Sequence, residues 1–131
     1  MYKKPVVLRG AELFEGVYAG SGDCYKATAY IHQTPELGRE TYKIQINARH
    51  DADHNSNAQE FHITFNQPVN YVGCYMNGAT LKSGDGSSTL VISLSYWNNH
   101  TDNIGGGDLE VSAGDGLAII SYEMVDVGKQ Y

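Results

Sequence analysis

The chain has 131 residues, of which 41% are hydrophobic and 18% are charged, and this length predicts one domain with one core. Its formal net charge of −6 is uneven, since residues 1–50 hold seven Lys and Arg against five acidic residues, whereas residues 51–131 hold two against ten. Nucleic acids and anionic membranes both favour a basic surface, which this distribution does not provide. We therefore expect an electrically neutral partner that is recognised by hydrogen bonds and stacking.

The start of the chain, residues 1–9, is basic, but its apolar run is too short for a signal peptide. No apolar segment approaches the length of a transmembrane helix. Two interpretations stay open on these grounds, namely a cytosolic protein or a module cut from a longer secreted chain.

Apolar and polar residues alternate along much of the chain, a pattern that predicts half-buried β-strands. In residues 41–49, for example, Tyr, Ile, Ile and Ala alternate with Lys, Gln, Asn and Arg. By the same parity, Tyr25 and Tyr42 belong to the core. The pattern predicts strands over residues 24–32, 41–49, 60–66, 69–76, 89–95 and 117–125, and shorter strands over 6–8, 13–18, 80–82 and 109–111.

Glycine-rich segments separate these strands, and glycine readily adopts the positive φ angles of tight turns. They predict turns at residues 20–23, 77–78, 83–86, 105–108 and 114–116. The segment 52–59 is predicted to be a polar loop rather than a helix. About nine strands without helices predict an all-β fold, an antiparallel two-sheet β-sandwich of jelly-roll or immunoglobulin-like type that forms one module over residues 1–131.

The two cysteines, Cys24 and Cys74, match no zinc-binding spacing and form no Cys-x-x-Cys motif. One interpretation is a disulfide between them. The other is a pair of free thiols packed as small apolar residues in a sheet.

Oxygen-bearing side chains alternate after the 41–49 strand, at Asp51, Asp53, Asn55 and Asn57. This spacing resembles the opening of a calcium-binding loop. However, Ser56 and His62 stand at the sixth and twelfth positions, where an EF-hand requires Gly and Glu. We expect a solvated loop, with a structural calcium ion as the alternative, and no other cofactor.

Three histidines, His50, His54 and His62, lie in the same part of the chain. On a helix, the first two would share one face, as transition-metal ligands do. On a strand followed by a loop this spacing loses that meaning, so we expect all three to face solvent. No nucleophile, metalloprotease or phosphate-binding motif is present. The number of acidic residues would allow a pair of glycosidase carboxylates, but no other feature of the sequence supports one. We therefore expect no enzymatic activity.

Aromatic and amide side chains cluster in the second half of the chain. By its parity, Trp97 lies on the polar side of its strand, opposite Leu90, Ile92 and Leu94. A ring of that size in water suggests a ligand surface. Sugar rings stack on Trp and Tyr, and their hydroxyls bind amides and carboxylates. The residues of this set are Tyr71, Tyr75, Tyr96, Trp97, Asn70, Asn77, Asn98, Asn99 and His100.

The order of motifs over residues 42–119 resembles that of the carbohydrate-binding modules of glycoside hydrolases, with family 2 the nearest pattern. The shared features are alternating strands, an aromatic residue followed by Asn at Tyr75-Met76-Asn77, a Ser-Gly turn at Ser83-Gly84, Trp97-Asn98 and a glycine-rich turn at 105–107. The resemblance implies that Tyr75 and Trp97 are exposed stacking residues, with Tyr30 as a third. It also implies a non-catalytic, secreted module of a plant-cell-wall-degrading enzyme, tethered to its catalytic domain as a monomer.

The chain also departs from the family 2 pattern. It has Tyr75 where Trp is usual, Phe61 where a buried Trp is usual, and internal cysteines where the family joins its two ends by a disulfide. The resemblance therefore implies a module of similar sandwich type whose exact family stays open. Tyr in place of Trp favours binding of single glycan chains over a flat crystalline surface.

These observations predict binding of a neutral polysaccharide, a β-glucan or related hemicellulose, independently of salt. The stacking residues would be Trp97 and Tyr75, extended by Tyr71, Tyr96 or Tyr30. The hydrogen-bonding residues would be Asn77, Asn98 and Asn99, with Gln45, His62 and Asn66. The alternative is a structural or protein-interaction sandwich, such as a scaffold or adhesin module, in which Trp97 is buried.

Overall fold

The computed structural model describes residues 25–35, 40–76 and 78–130, and these ranges contain ten β-strands and no helix. Accordingly, this part of the chain has no long apolar helix that could cross a membrane. The strands are β1 (Tyr25–Gln33), β2 (Tyr42–Asp51), β3 (Asn55–Ser56), β4 (Gln59–Phe65), β5 (Asn70–Cys74), β6 (Thr80–Ser83), β7 (Thr89–Leu94), β8 (Thr101–Ser112), β9 (Ile119–Asp126) and β10 (Lys129–Gln130).

Two four-stranded antiparallel sheets form the fold, which confirms the predicted β-sandwich. The first sheet has the strand order β1-β2-β8-β5, and the second has the order β6-β7-β4-β9. The short strands β3 and β10 pair with each other in a separate two-stranded ribbon. Alternate residues of both sheets point inward, so each sheet keeps one face for the core and one for solvent.

The core lies between the two inner faces and follows the alternation in the sequence. Tyr25 and Tyr42 are buried, as predicted, and β4 supplies Phe61 and Ile63, which are fully buried. The other fully buried apolar side chains are Ile44, Ile46, Leu90, Ile92, Leu109, Val111 and Met124. A period-two pattern over so many strands fixes which face of each strand is buried.

The predicted turn at residues 105–108 is wrong, because these residues lie within β8, which extends to Thr101 and is much longer than the predicted strand over 109–111. The glycines there pair with β2, where Gly107 lies opposite Ile46 and Gly106 opposite Asn47. A Cβ atom on Gly107 would lie 2.6 Å from the backbone oxygen of Tyr75. These glycines therefore permit close approach within a sheet rather than a reversal of the chain.

Other predicted turns are confirmed by backbone geometry. Gly84 has a φ of 103° and Gly116 a φ of 79°, both in the region that favours glycine. The segment 52–59 contains no helix, as expected, although it includes the short strand β3. The predicted strands over 6–8 and 13–18, the turn over 20–23, and Cys24 lie outside the described residues.

Candidate functional site

The solvent-facing side of the first sheet, here called the outer face, carries aromatic, amide and carboxylate side chains in register. Tyr30 on β1 pairs with Gln45 on β2, and Gln45 pairs with Asp108 on β8. The backbone nitrogen of Tyr75, just after β5, donates to the carbonyl of Asp108 at 2.8 Å. One row across the first sheet thus runs from Tyr30 through Gln45 and Asp108 to Tyr75, with about 4.8 Å between neighbouring strands.

The two ends of this row are exposed tyrosine rings. Tyr30 is 53% exposed and Tyr75 is 62% exposed. The Tyr30 ring also makes an edge contact with His32, with 6.4 Å between the ring centroids. Exposed rings at both ends of a polar row offer apolar contact area that nothing in the described structure covers.

The Tyr75 ring is held in place by the sheet beneath it. Its hydroxyl donates to Glu110 Oε1 at 3.0 Å, and the other oxygen of Glu110 accepts from the Thr41 hydroxyl at 2.6 Å. A Cβ atom on Gly73 would lie 2.9 Å from the Tyr75 hydroxyl oxygen, so glycine there leaves space for the ring. Tyr75 is therefore positioned before any ligand arrives.

The same hydrogen bonds shift the pKa values of both partners. The hydrogen bonds from Thr41 and Tyr75 lower the pKa of Glu110 below its ordinary value. The hydrogen bond to Glu110 and its negative charge raise the pKa of Tyr75. The carboxylate stays ionised and the phenol stays protonated around neutral pH, so the hydrogen bond between them persists there.

Between the tyrosines lie polar groups of the kind that bind hydroxyls. The side chains of Gln45 and Asn47 lie over Gly106, since a Cβ atom there would contact both amides. Asp108 Oδ1 lies 2.8 Å from His32 Nε2. Asn47, Asp108 and Glu110 were not among the predicted site residues, although burial of Leu109 and Val111 already implies that positions 108 and 110 face solvent.

Trp97 is 52% exposed, as its parity predicts. It lies after the end of β7, in the segment that leads into β8, rather than on a strand of the outer face. Its neighbour Asn98 forms an antiparallel bridge with Ser56, with backbone hydrogen bonds of 2.8 and 3.0 Å. Trp97 is thus an exposed ring on an anchored segment.

The prediction that Asn98 binds sugar hydroxyls is wrong. Asn98 is fully buried, and its amide nitrogen donates to the Tyr25 hydroxyl at 3.2 Å. Its role is to anchor the segment that carries Trp97. Asn99 is exposed, whereas Tyr96 is half-buried against the core.

Three further predicted site residues stand apart from the outer-face row. Tyr71 is half-buried against the core, so its ring is a poor platform for stacking. His62 lies on β4 in the second sheet and contacts Glu60 at 3.0 Å, so it cannot share a surface with Tyr75. The Asn66 amide is occupied by the 116–118 turn, where its nitrogen donates to the carbonyl of Gly116 and its oxygen accepts from Ala118. Asn77 lies outside the described residues.

The expectation that His50 and His54 face solvent is also wrong, since both are buried. The candidate calcium residues behave differently, because Asp53 is fully open to solvent and Asp51 forms an ion pair with Lys26 at 3.4 Å. The calcium site therefore stays a prediction.

Cys74 forms no disulfide within the described residues, and it is partly covered by the core. Burial raises its pKa to about 11, so it remains protonated at neutral pH and is a weak nucleophile. Because Cys24 lies outside the described residues, the disulfide and the two-thiol interpretations both stay open.

No protein-family model and no curated protein matches this chain. Among solved structures, the chain is similar to the chitin-binding domain of a hyperthermophilic chitinase from Pyrococcus furiosus, with a TM-score of 0.55 and 8% identity. The match covers 84% of this chain and 94% of that domain. At this identity the likeness concerns the fold alone, and the resemblance to family 2 modules stays a prediction.

Proposed function

We propose that the chain is a non-catalytic carbohydrate-binding module whose outer face binds a polysaccharide. The observation that carries this proposal is the row of Tyr30, Gln45, Asp108 and Tyr75, in which two exposed rings flank an amide and a carboxylate. Pyranose rings have apolar faces that stack on aromatic rings and hydroxyls that need hydrogen-bond partners. The fold likeness to a chitin-binding domain supports the same class of ligand.

Within that class we propose a neutral β-linked glucan or a related hemicellulose. The row crosses the strands of a twisted sheet and is lined by polar groups, which suits one extended chain better than a crystalline surface. Two or three stacked rings at about 0.5–1.5 kcal/mol each, beyond their buried area, fit micromolar to millimolar affinity after the cost of ordering the ligand.

Two surface carboxylates, Glu60 and Glu110, do not fit the role of a glycosidase acid. A glycosidase needs a general acid with a raised pKa. Here the pKa of Glu110 is lowered by hydrogen bonds from Thr41 and Tyr75, and that of Glu60 is lowered by hydrogen bonds from Lys82 and His62. We further propose secretion and attachment to a polysaccharide-degrading enzyme, in line with the family resemblance.

The proposal is tested by affinity electrophoresis on a panel of soluble β-glucans, xylan, xyloglucan, mannan and glycol chitin. We expect retardation in at least one gel that persists at high salt, because no pairing of opposite charges drives binding. Release of reducing ends from the same polysaccharides should not be detected. Failure of every gel to retard the protein, and of insoluble chitin and cellulose to bind it, would reject the proposal.

A Gly106→Ala substitution should weaken polysaccharide binding at least about threefold while the fold is kept. The added methyl group would meet the flexible ends of Gln45 and Asn47 and would lie 3.2 Å from the backbone oxygen of Ile46. It therefore displaces the two amides, whereas the backbone needs to shift by only a few tenths of an ångström. Electrophoresis and thermal unfolding measure the two effects. The matched control is Gly114→Ala, where a methyl group would contact only Gln67, away from the outer face. Equal retardation of both variants would remove the two amides from the site.

A Trp97→Ala substitution should weaken binding about threefold or more if this exposed ring extends the platform. Trp97 is the only tryptophan of the chain, so its fluorescence reports its own environment. The emission should be that of an exposed indole and should shift to the blue when an oligosaccharide binds. If the variant is retarded as strongly as the native protein in every gel, Trp97 lies outside the binding site. The site then consists of the outer-face row alone. The alternative scaffold function predicts a buried Trp97, which disagrees with its 52% exposure.

A further inference from the structure

Two histidines and one aspartate converge where the two sheets meet the β3–β10 ribbon. His50 belongs to the end of β2, His54 to the loop that follows, and Asp126 to the end of β9. One ligand atom of each lies within 4.8 Å of the others. His54 Nε2 lies 2.7 Å from Asp126 Oδ2, and His50 Nε2 lies 3.9 Å from the same oxygen.

The three side chains are shielded from water. The side chains of His50 and Asp126 are fully buried, and that of His54 is 5% exposed. The His50 ring packs against Tyr25, with 4.8 Å between centroids, and against the His54 ring at 5.0 Å. Residues of these types are rarely so deeply buried unless they are paired or bind an ion.

The tautomer of His50 leaves a lone pair directed into this cluster. His50 Nδ1 lies 2.5 Å from the carbonyl oxygen of Asn99, and a carbonyl can only accept, so Nδ1 carries the proton and donates. In a neutral imidazole the opposite nitrogen, Nε2, is then an acceptor. This atom is buried and has no hydrogen-bond partner, and it faces a carboxylate oxygen of Asp126. A cation between these two acceptors would satisfy both of them.

A second unsatisfied atom belongs to the same hydrogen-bonded network. The Ser56 hydroxyl donates to Asp126 Oδ1 at 2.8 Å, and Gln59 Nε2 donates to the Ser56 oxygen at 3.1 Å. Gln59 Nε2 also donates to the carbonyl of Tyr96 at 2.7 Å, which leaves Gln59 Oε1 buried and without a partner. Gln59 and Asp126 are direct cross-strand neighbours on β4 and β9.

We propose that His50, His54 and Asp126 bind a divalent transition metal of the zinc class. Zinc is bound at about 2.0–2.2 Å by imidazole nitrogen and carboxylate oxygen in a tetrahedron, which separates ligand atoms by about 3.3 Å. The present separations of 2.7 and 3.9 Å lie on either side of that value. The carbonyl of Asn99 holds His50 in the tautomer that a metal requires. The fourth position of the tetrahedron would be filled by a water molecule.

Such a metal would have a structural role, because the cluster is buried rather than open to substrate. It would join β2 of the first sheet to β9 of the second and fix the loop between β2 and β3. Through the His50–Asn99 hydrogen bond, it would also fix the segment that carries Trp97. This inference does not rest on the proposed binding of polysaccharides.

The test is titration of the chelator-treated protein with zinc sulfate by isothermal calorimetry, together with thermal unfolding. We expect one equivalent bound with a dissociation constant below about 1 µM and an increase of several degrees in Tm at excess zinc. Cobalt(II) should give the visible absorption of a tetrahedral site. Absence of binding at millimolar zinc and cobalt would overturn the proposal.

Two conservative variants and one control assign the site. His50→Gln and Asp126→Asn, which keep hydrogen-bonding side chains, should each weaken zinc binding at least about 100-fold. His100→Ala removes an exposed histidine outside the cluster and should bind zinc as the native protein does. Where a variant fails to unfold cooperatively without metal, imidazole nitrogen NMR of the native protein shows instead which histidines bind zinc. Two histidines should shift on zinc addition, and the same two signals should be insensitive to the His100→Ala change. Native affinity in His50→Gln, or a shift of the His100 signal alone, would overturn the proposal.

Discussion

A Tyr75→Ala variant should lose at least about tenfold in affinity for any polysaccharide that the native protein binds. Tyr75 is the most exposed of the aromatic rings in the described residues, at 62%, and its hydroxyl bond to Glu110 holds it in one orientation. The variant loses the stacking energy of about 0.5–1.5 kcal/mol, the buried area of the ring and the benefit of a fixed ring. A change of about 1.4 kcal/mol corresponds to tenfold in the dissociation constant. Calorimetry with a soluble oligosaccharide measures it.

Two further variants distinguish the contribution of the Tyr75 ring to affinity from that of its hydroxyl and from the effect of losing any exposed apolar side chain. Tyr75→Phe keeps the ring but loses the bond to Glu110, so its affinity should lie between those of the native protein and the alanine variant. Ile120→Ala removes an exposed apolar side chain from the second sheet and should bind as the native protein does. If Tyr75→Ala binds every polysaccharide ligand of the native protein with native affinity, the binding site does not include Tyr75.

The alternation of side chains made the sandwich predictable from sequence. Tyr42, Ile44 and Ile46 are buried on one side of β2, and Gln45 and Asn47 face outward on the other, because the period of a strand is two residues and one face must meet the core. The same rule predicted the exposure of Trp97, whereas the exposure of Tyr75 was implied by the family resemblance. The local pattern therefore sufficed to tell which face of β2, β4 and β7 is buried. It did not suffice for β5, where a register shift between Tyr71 and Gly73 leaves Tyr71 against the core and Tyr75 in solvent.

The pairing of the strands could not be predicted from the local alternation of side chains. Gly105–Gly107 carry a typical turn signature, yet they lie in β8, where they pair with residues 46–48 of β2. On the other side, the backbone of Tyr75 approaches Gly107 too closely for a side chain there. The row from Tyr30 to Tyr75 depends on the strand order β1-β2-β8-β5, which joins segments far apart in sequence. The place of Asp108 in the row depends on the same strand order, because its neighbours are set by register rather than by spacing along the chain.

The buried polar residues were the largest departure from expectation. Asn98 and the two histidines, His50 and His54, occur in polar stretches that resemble solvated loops, but the bridge between Ser56 and Asn98 folds this part of the chain over the end of the sandwich. Asn98 bonds to Tyr25 and His54 to Asp126, each more than 70 residues away along the chain. His50 bonds to the carbonyl of Asn99, 49 residues away. Only tertiary structure brings such partners together.

A Phe61→Ala substitution should lower the free energy of unfolding by about 3–5 kcal/mol. Phe61 is fully buried on β4, a central strand of the second sheet, and its ring stacks on that of Tyr122 with 6.2 Å between centroids. Strands β7 and β9 flank it, so the neighbours that would have to collapse into the cavity are held by two ladders of hydrogen bonds. Urea unfolding followed by circular dichroism measures the change, with Ile120→Ala expected within about 0.5 kcal/mol of the native protein. Because a domain of this size is stable by about 5–15 kcal/mol, a loss below about 1 kcal/mol would mean that the two sheets do not pack together at this point, and the outer face would then lack the rigid support that holds its tyrosines in one row.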